Sequence, residues 1–311
     1  MVSRSNEGSK ALEESALHLV RIGNLDDAWQ AADQGIRETG DQRDLRTYWT
    51  FRFVHSEVLR LRGRAKEAVE YLGSLGSPFP EDIESRTRLT MHLGYCSALL
   101  GRYDAAHTLL TEAKASALSA GLSEVEAEIT LRQGMLAYLH RDFNGSERLY
   151  RSVVNIYGDR FGWYLLCIAR GGVGKSLMAR REFREALPWL EEAVSMAEGV
   201  GSKYLGAAFS GEAGICYLGL GNPDRALQIY IAAEKILAEL GARHAYQVNL
   251  ADMGNVYLHK GEYVTAISLY QRALAIAKEI DAPASVEKWS HNIKLAYEKL
   301  RQSMAEKADP A

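Results

Sequence analysis

Ala169-Arg-Gly-Gly-Val-Gly174-Lys175-Ser176 is the stretch of this 311-residue sequence whose residue types most resemble reaction chemistry. Glycines ahead of a Lys-Ser pair can wrap a phosphate, with backbone N–H groups cradling the oxygens and the lysine reaching the outer ones. The apolar run Trp163–Ile168 would then be the strand that leads into the loop. Two details oppose that reading. Ala169 stands where GxxxxGK[ST] needs its first glycine, and no strand–helix alternation follows. The other reactive residue types are scattered. The eight histidines show no HExxH or comparable ligand spacing. Cys96, Cys167 and Cys216 form no CxxC and no His-paired set; they read as small apolar residues in a reducing compartment. The pair Glu191-Glu192 reads as solvation, and no Ser/His/Asp or Cys/His set stands out. No catalytic, cofactor-binding or metal-binding residue is expected, and the chain is expected not to be an enzyme.

The elements that position these residues declare themselves by repetition. Small residues recur at Ala28, Ala68, Ala106, Ser146, Ala186, Ala226 and Ala266, in steps of 40, 38, 40, 40, 40 and 40. A second marker stands twelve residues upstream in each copy: Ala16, Ser56, Gly94, Gly134, Gly174, Gly214 and Gly254. Self-similarity at such a period marks a stacked repeat, and each copy must be one supersecondary unit. The last copy reads as helix, turn, helix. Leu250, Met253, Val256 and Tyr257 recur at helical spacing, Gly261 breaks the run, and Ala266, Tyr270, Ala273, Leu274 and Ala277 resume it. Small residues at 254 and 266 let the two helices approach closely, and the tyrosines fill the space beside them. The repeat also answers the phosphate-loop question. Gly174 lies forty residues from both Gly134 and Gly214, so residues 169–176 fall within the first helix of the fifth copy.

In these residues the chain resembles the tetratricopeptide repeat (TPR) family. That motif places Leu-Gly, an aromatic, Gly-x-Tyr/Phe, Ala, an aromatic and Ala at set offsets. The sixth copy supplies Ala213-Gly214, Tyr217, Gly221, Ala226, Tyr230 and Ala233; the third supplies Leu93-Gly94, Gly101, Tyr103, Ala106, Leu110 and Ala113. The fifth and fourth follow with Gly174, Phe183, Ala186, Leu190 and Gly134, Phe143, Ser146, Tyr150; the first two copies are weaker. The resemblance covers about residues 9–305 and implies an all-α, right-handed superhelix of seven hairpins plus a C-terminal capping helix. The family's repeat has about 34 residues, so the extra residues here must lengthen the helices. The expected units are 9–48, 49–86, 87–126, 127–166, 167–206, 207–246 and 247–286, then a capping helix at 287–305. Residues 1–8 and 306–311 are expected to be disordered ends. Gly121, Gly201, Gly241 and Asp281 fall where a left-handed cap would end each second helix. Lys294 replaces the small residue of Gly254, which fits a last helix with one unpacked polar face and a complete array. The second copy is two residues short. Gly73, Gly76, Pro78 and Pro80 must stop its second helix near Leu72, because an interior proline costs about 3 kcal/mol. A loop that absorbs the deletion and a bend between two repeats and five both satisfy that.

The family's groove positions, carried onto this sequence, are Arg88, His92 and Tyr95; Arg132, Met135 and Leu139; Gly171, Lys175 and Met178; Gly211, Glu212 and Ile215; and Asp252, Asn255 and His259. Aromatic, methionine and mixed-charge character suits a protein-recognition surface. The carboxylate clamp of some TPR domains survives only as Lys175 and Asn255, two repeats apart. Small residues at 171, 211 and 251, where earlier copies carry Phe53, Met91 and Leu131, leave two readings open: a deepened pocket over copies five to seven, or relaxed packing without a ligand.

Bulk composition narrows the function. Hydrophobic residues make up 47%, and 37 basic residues against 40 acidic give a net charge of -3. No basic stripe for a nucleic-acid backbone results. The N-terminal MVSRSNEGSK has no apolar signal core, and WYLLCIA is too short for a membrane span, so a cytoplasmic protein without membrane or nucleic-acid partners is expected. The leading reading is a non-catalytic scaffold that holds a partner peptide or helix in its concave groove, without a cofactor. A regulatory or sensor array controlling an effector is the alternative, and nucleotide binding at 169–176 is a third.

Overall fold

The computed structural model describes residues 2–40, 46–74, 80, 82–158 and 162–308. Its helices are α1 (Val2–Ile22), α2 (Leu25–Thr39), α3 (Arg46–Leu61), α4 (Ala65–Gly73), α5 (Ile83–Leu99), α6 (Tyr103–Ser119), α7 (Ser123–Leu139), α8 (Phe143–Tyr157), α9 (Gly162–Ala179), α10 (Phe183–Gly199), α11 (Lys203–Gly219), α12 (Pro223–Glu239), α13 (Arg243–His259), α14 (Tyr263–Glu279) and α15 (Pro283–Ala308). Odd- and even-numbered helices pair into seven hairpins, and α15 closes the stack as a right-handed all-α superhelix.

Each hairpin is built on a small residue against a large one. A Cβ added to Gly254 would lie 2.7 Å from the Tyr270 ring, and one added to Gly214 would lie 2.8 Å from the Tyr230 ring. Leu190 takes that place at Gly174. The small residue of each second helix, from Ala28 to Ala266, is fully buried in every hairpin. Glycine's backbone-entropy cost is accepted here because only a bare Cα lets the helices approach this closely. Four second helices end in the left-handed region at the positions the periodicity selects, Gly121, Gly201, Gly241 and Asp281, the last with φ +52°.

The second hairpin has a short second helix. α4 stops at Gly73, one residue beyond Leu72. Residues 75–79 and 81, which include Gly76 and Pro78, lie outside the described residues. Despite the short helix, α3 packs directly on α5: Phe53 stacks on His92 at 5.0 Å, and Arg46 bonds Glu84 at 2.7 Å. The stack of first helices thus continues from α3 to α5 through this hairpin.

At the ends, helix extends beyond the expected ordered limits. α1 begins at Val2 and α15 runs to Ala308, because no proline interrupts either run. Met1 and residues 309–311 lie outside the described residues. In α15, Trp289 and Ala296 are buried against the seventh hairpin, and Trp289 donates its indole N–H to Gln247. Lys294 is exposed. No helix among the described residues is long and apolar enough to cross a membrane.

One feature has no counterpart in the periodicity. The first hairpins touch the late ones across the superhelix. The Ser202 hydroxyl donates to the Arg21 carbonyl at 2.9 Å. Gly23, at φ +87°, lies so close to Tyr204 that an added Cβ would sit 2.5 Å from the tyrosine Cβ. Gly63 meets Ile280 and His244 in the same way. Hairpin one thus lies over hairpin six, and hairpin two over hairpin seven.

Candidate functional site in the concave face

The first helices of successive hairpins line the inside of the superhelix. Between α1, α3, α5, α7 and α9 they enclose a cavity of about 130 Å3. Arg88, His92 and Arg132, three of the sequence-predicted groove residues, line it. Tyr95 lies beneath, with the Arg132 guanidinium 4.3 Å above its ring.

The cavity wall is a chain of charge pairs. Glu57 accepts from Arg60 Nε at 2.9 Å and Nη2 at 2.5 Å, and sits 3.4 Å from Arg132. Burial works against the ionised form of Glu57, but Arg60 and Arg132 outweigh it and hold the carboxyl well below the usual range. Removing one partner of such a buried pair costs about 3–5 kcal/mol, because the other charge is left uncompensated. Beside this triad, Arg88 bridges Glu84 at 3.0 Å and Glu128 at 2.8 Å. His92 is pushed down to about 4 by burial, against the pull of Glu57, so it is neutral at neutral pH.

Farther along, Lys175 bonds Glu212 at 2.6 Å and lies 4.9 Å from the Tyr138 ring. Burial alone would depress the Lys175 ammonium, but Glu212 and Tyr138 raise it. Asp252 is buried, accepts from Asn255 Nδ2 at 3.1 Å, and is pushed up to about 7 by burial. Tyr270 in turn donates to Asn255 Oδ1 at 2.7 Å and orients it. Met178 is buried, Met135 and Ile215 are half-buried, and His259 is exposed at the end of α13.

The small-residue stretch is only partly open. The Phe209 ring occupies the space above Gly171, 2.0 Å from where a Cβ would lie. Gly211 has nothing nearer than Tyr230 at 4.0 Å. At Gly171 the place of a side chain is thus filled by an aromatic ring from the next repeat. Residues 169–176 are helical within α9, and their backbone N–H groups are committed to the helix instead of forming a loop. Lys175 turns to Glu212, so a phosphate finds no cradle there.

Several cavity residues escaped the motif-based selection, although the period would have found them. Glu57 holds the position of Tyr95, Met135, Lys175 and Asn255 one copy earlier, and Glu128 holds that of Arg88. Arg46, Glu84, Tyr164, Tyr204 and His244 also share one repeat position. Arg21 holds the position of Leu139 and His259, Leu17 that of Tyr95 and Val20 that of Met178.

Comparison with known proteins agrees with this geometry. A family model described as "Tetratricopeptide repeat" matches residues 204–279. Another, "Suppressor of spindle checkpoint defect 1 C-terminal domain", matches residues 55–156. The tetratricopeptide-repeat match spans the sixth and seventh hairpins and agrees with the resemblance read from the sequence. A search of curated proteins finds no match. Among solved structures, a Rap protein complexed with competence and sporulation factor aligns at a TM-score of 0.67 and 15% identity, over 95% of this chain and 87% of that one. NprR in complex with its cognate peptide NprX aligns at 0.64 and 15%, over 94% and 84%. Aspartyl phosphate phosphatase F from Bacillus subtilis aligns at 0.54 and 14%, over 96% and 85%. At these identities the likeness is one of fold.

Proposed function

We propose that this chain is a non-catalytic interaction module that holds a peptide or helix of a protein partner in its concave face. The observation that carries the reading is the cavity of about 130 Å3, walled by guanidinium, carboxylate and aromatic groups on five different helices. Such a wall offers directional polar contacts beside apolar surface, the mixture from which peptide recognition draws specificity. NprR, which shares the overall path of this chain, is complexed with a cognate peptide.

A regulatory variant of the same reading is supported by the contact between hairpins one and six. An occupant of the concave face would meet both ends of the turn and would favour one degree of winding over another. The effector would be a second protein or another domain.

Selection of random peptides on the full chain tests the interaction reading. Enriched peptides should lose at least tenfold in affinity with Arg132→Glu or Lys175→Glu. They should be indifferent to Lys235→Glu, whose side chain is 82% exposed on α12. Peptides that ignore both inner substitutions but lose affinity with Lys235→Glu would overturn it.

A further inference from the structure

Away from that cavity, the late hairpins carry a buried carboxylate with no counter-charge. Asp252, on α13, is 8% exposed, and no cation among the described residues stands within ion-pair distance of it. Asn255 Nδ2 donates to its Oδ1 at 3.1 Å, and Tyr270 holds Asn255 in turn. On α11, Glu212 gives its Oε1 to Lys175 at 2.6 Å. Against the burial that raises Asp252, Lys288 is the leading opposing charge, yet it is exposed on α15 and rests 4.7 Å from the Trp289 ring. A second observation comes from α12. The Tyr230 hydroxyl is buried, its residue 1% exposed, and it has no hydrogen-bond partner among the described residues. Its counterpart Tyr270 bonds Asn255 at 2.7 Å, but the residue one repeat before Asn255 is Ile215, which offers no polar atom. Burial first, then the charges of Asp252 and Glu212, raise the Tyr230 phenol, so the three groups share one neighbourhood. Next to Glu212, Gly211 leaves a gap: a Cβ added there would meet nothing nearer than the Tyr230 ring at 4.0 Å. A buried carboxylate and an unpartnered hydroxyl are costly until a donor meets them.

We propose that the gap over Gly211 holds a primary ammonium on an aliphatic stem, with its charge on Asp252 and its protons shared with Glu212 and the Tyr230 oxygen. The acceptors select ammonium over guanidinium. An ammonium is compact and points three donors in different directions, which suits acceptors on α11, α12 and α13. A guanidinium fork matches both oxygens of one carboxylate, and here Oδ1 of Asp252 already serves Asn255 while Oε1 of Glu212 serves Lys175. Ile215, half-buried one turn along α11, gives the stem apolar surface. Such a headgroup ends a lysine side chain or a free polyamine. The site does not depend on the cavity lined by Arg132 holding a peptide.

The probe is pentylammonium chloride, titrated into the full chain at about pH 8 against matched sodium chloride and read by calorimetry. Binding should saturate, pentylguanidinium should bind about tenfold more weakly, and pentanol should not bind. Asp252→Asn should cost about tenfold and Tyr230→Phe about threefold, the latter by removing one acceptor while the ring keeps its packing. Gly211→Leu should abolish binding by filling the gap, and it keeps the test valid if Asp252→Asn does not fold. Affinity should fall about tenfold from pH 8 to pH 6, as Asp252, pushed up to about 7 by burial, takes up a proton. Glu212, Lys175, Lys288 and the phenols of Tyr230 and Tyr270 face Asp252 as well. Asp252→Asn keeps all of them and should remove the pH dependence. Nα-acetyl-lysine methylamide and spermidine separate the two sources, and tighter binding of either supports the site. No saturable binding of any of the three amines overturns the proposal. So does equal binding by Asp252→Asn, or guanidinium binding as tightly as ammonium. The peptide selection above, judged by Arg132→Glu, is decided separately from all of these.

Discussion

Asp252 is nine-tenths buried on the face that carries Arg132 and His92 in earlier repeats, yet no cation among the described residues stands within ion-pair distance of it. Burial pushes its carboxyl up to about 7; Lys288, Asn255 and Lys175 pull it down, and Glu212 adds to the rise. The sign of the consequence is definite. A free aspartate titrates near 3.9, so between about pH 4 and 7 the folded chain holds a proton that the unfolded chain releases. Stability from this group is therefore present below pH 4 and is lost as pH rises through 7. Asp252→Asn removes the titration. It should melt a few degrees above the parent at pH 8 and within a degree of it at pH 4, read by a thermal series across that range. A constant difference at both pH values would mean that Asp252 is ionised throughout.

At the scale of the element, glycine has two roles in the first helices. In a helix interior Gly→Ala is worth about 0.8–1 kcal/mol of propensity. Gly211→Ala should gain most of that, since nothing lies nearer than 4.0 Å to the new Cβ. Gly174→Ala should lose stability by about 1–3 kcal/mol, because the Cβ would lie 2.6 Å from Leu190 Cγ and 3.1 Å from the Ala186 carbonyl, an overpacked contact that includes backbone. Denaturant midpoints of the two variants should move in opposite directions, and parallel movement would refute the close-packing role of Gly174. The repeat register made Gly174 legible as a packing glycine, and it also exposed the phosphate-loop resemblance as helix. The same register could not show that Phe209 covers Gly171, because the covering ring comes from a neighbouring repeat and its direction is a matter of rotamer. Charge pairing behaved similarly. Arg88 and Arg132 were visible as groove positions and Glu57 and Glu128 share such positions, but that Glu57 meets Arg132 and Glu128 meets Arg88 emerged only when α3, α5 and α7 stood side by side.

At the scale of the whole molecule, the decisive quantity is how tightly the hairpins wind. Each interface between neighbours contributes a small rotation, and the sum brings hairpin one onto hairpin six. No single repeat encodes that sum, which is why the contact between hairpin one and hairpin six was not legible in the period. Tyr204 is the residue on which the closure turns. It packs with the cores of hairpin one, hairpin five and hairpin six, while Ser202 beside it is buried and bonded to the Arg21 carbonyl. Contacts across the turn are few compared with those along the stack, so they should break first and leave the stack folded. Tyr204→Ala combined with Ser202→Ala should increase the radius of gyration and the maximum dimension in solution scattering, with helix content unchanged by circular dichroism. The same double variant should weaken any peptide held against Leu17, Val20 and Arg21, because α1 would no longer be fixed over the cavity. Scattering identical to the parent would show that stacking alone sets the winding, and that the first hairpin reaches the sixth without being held there.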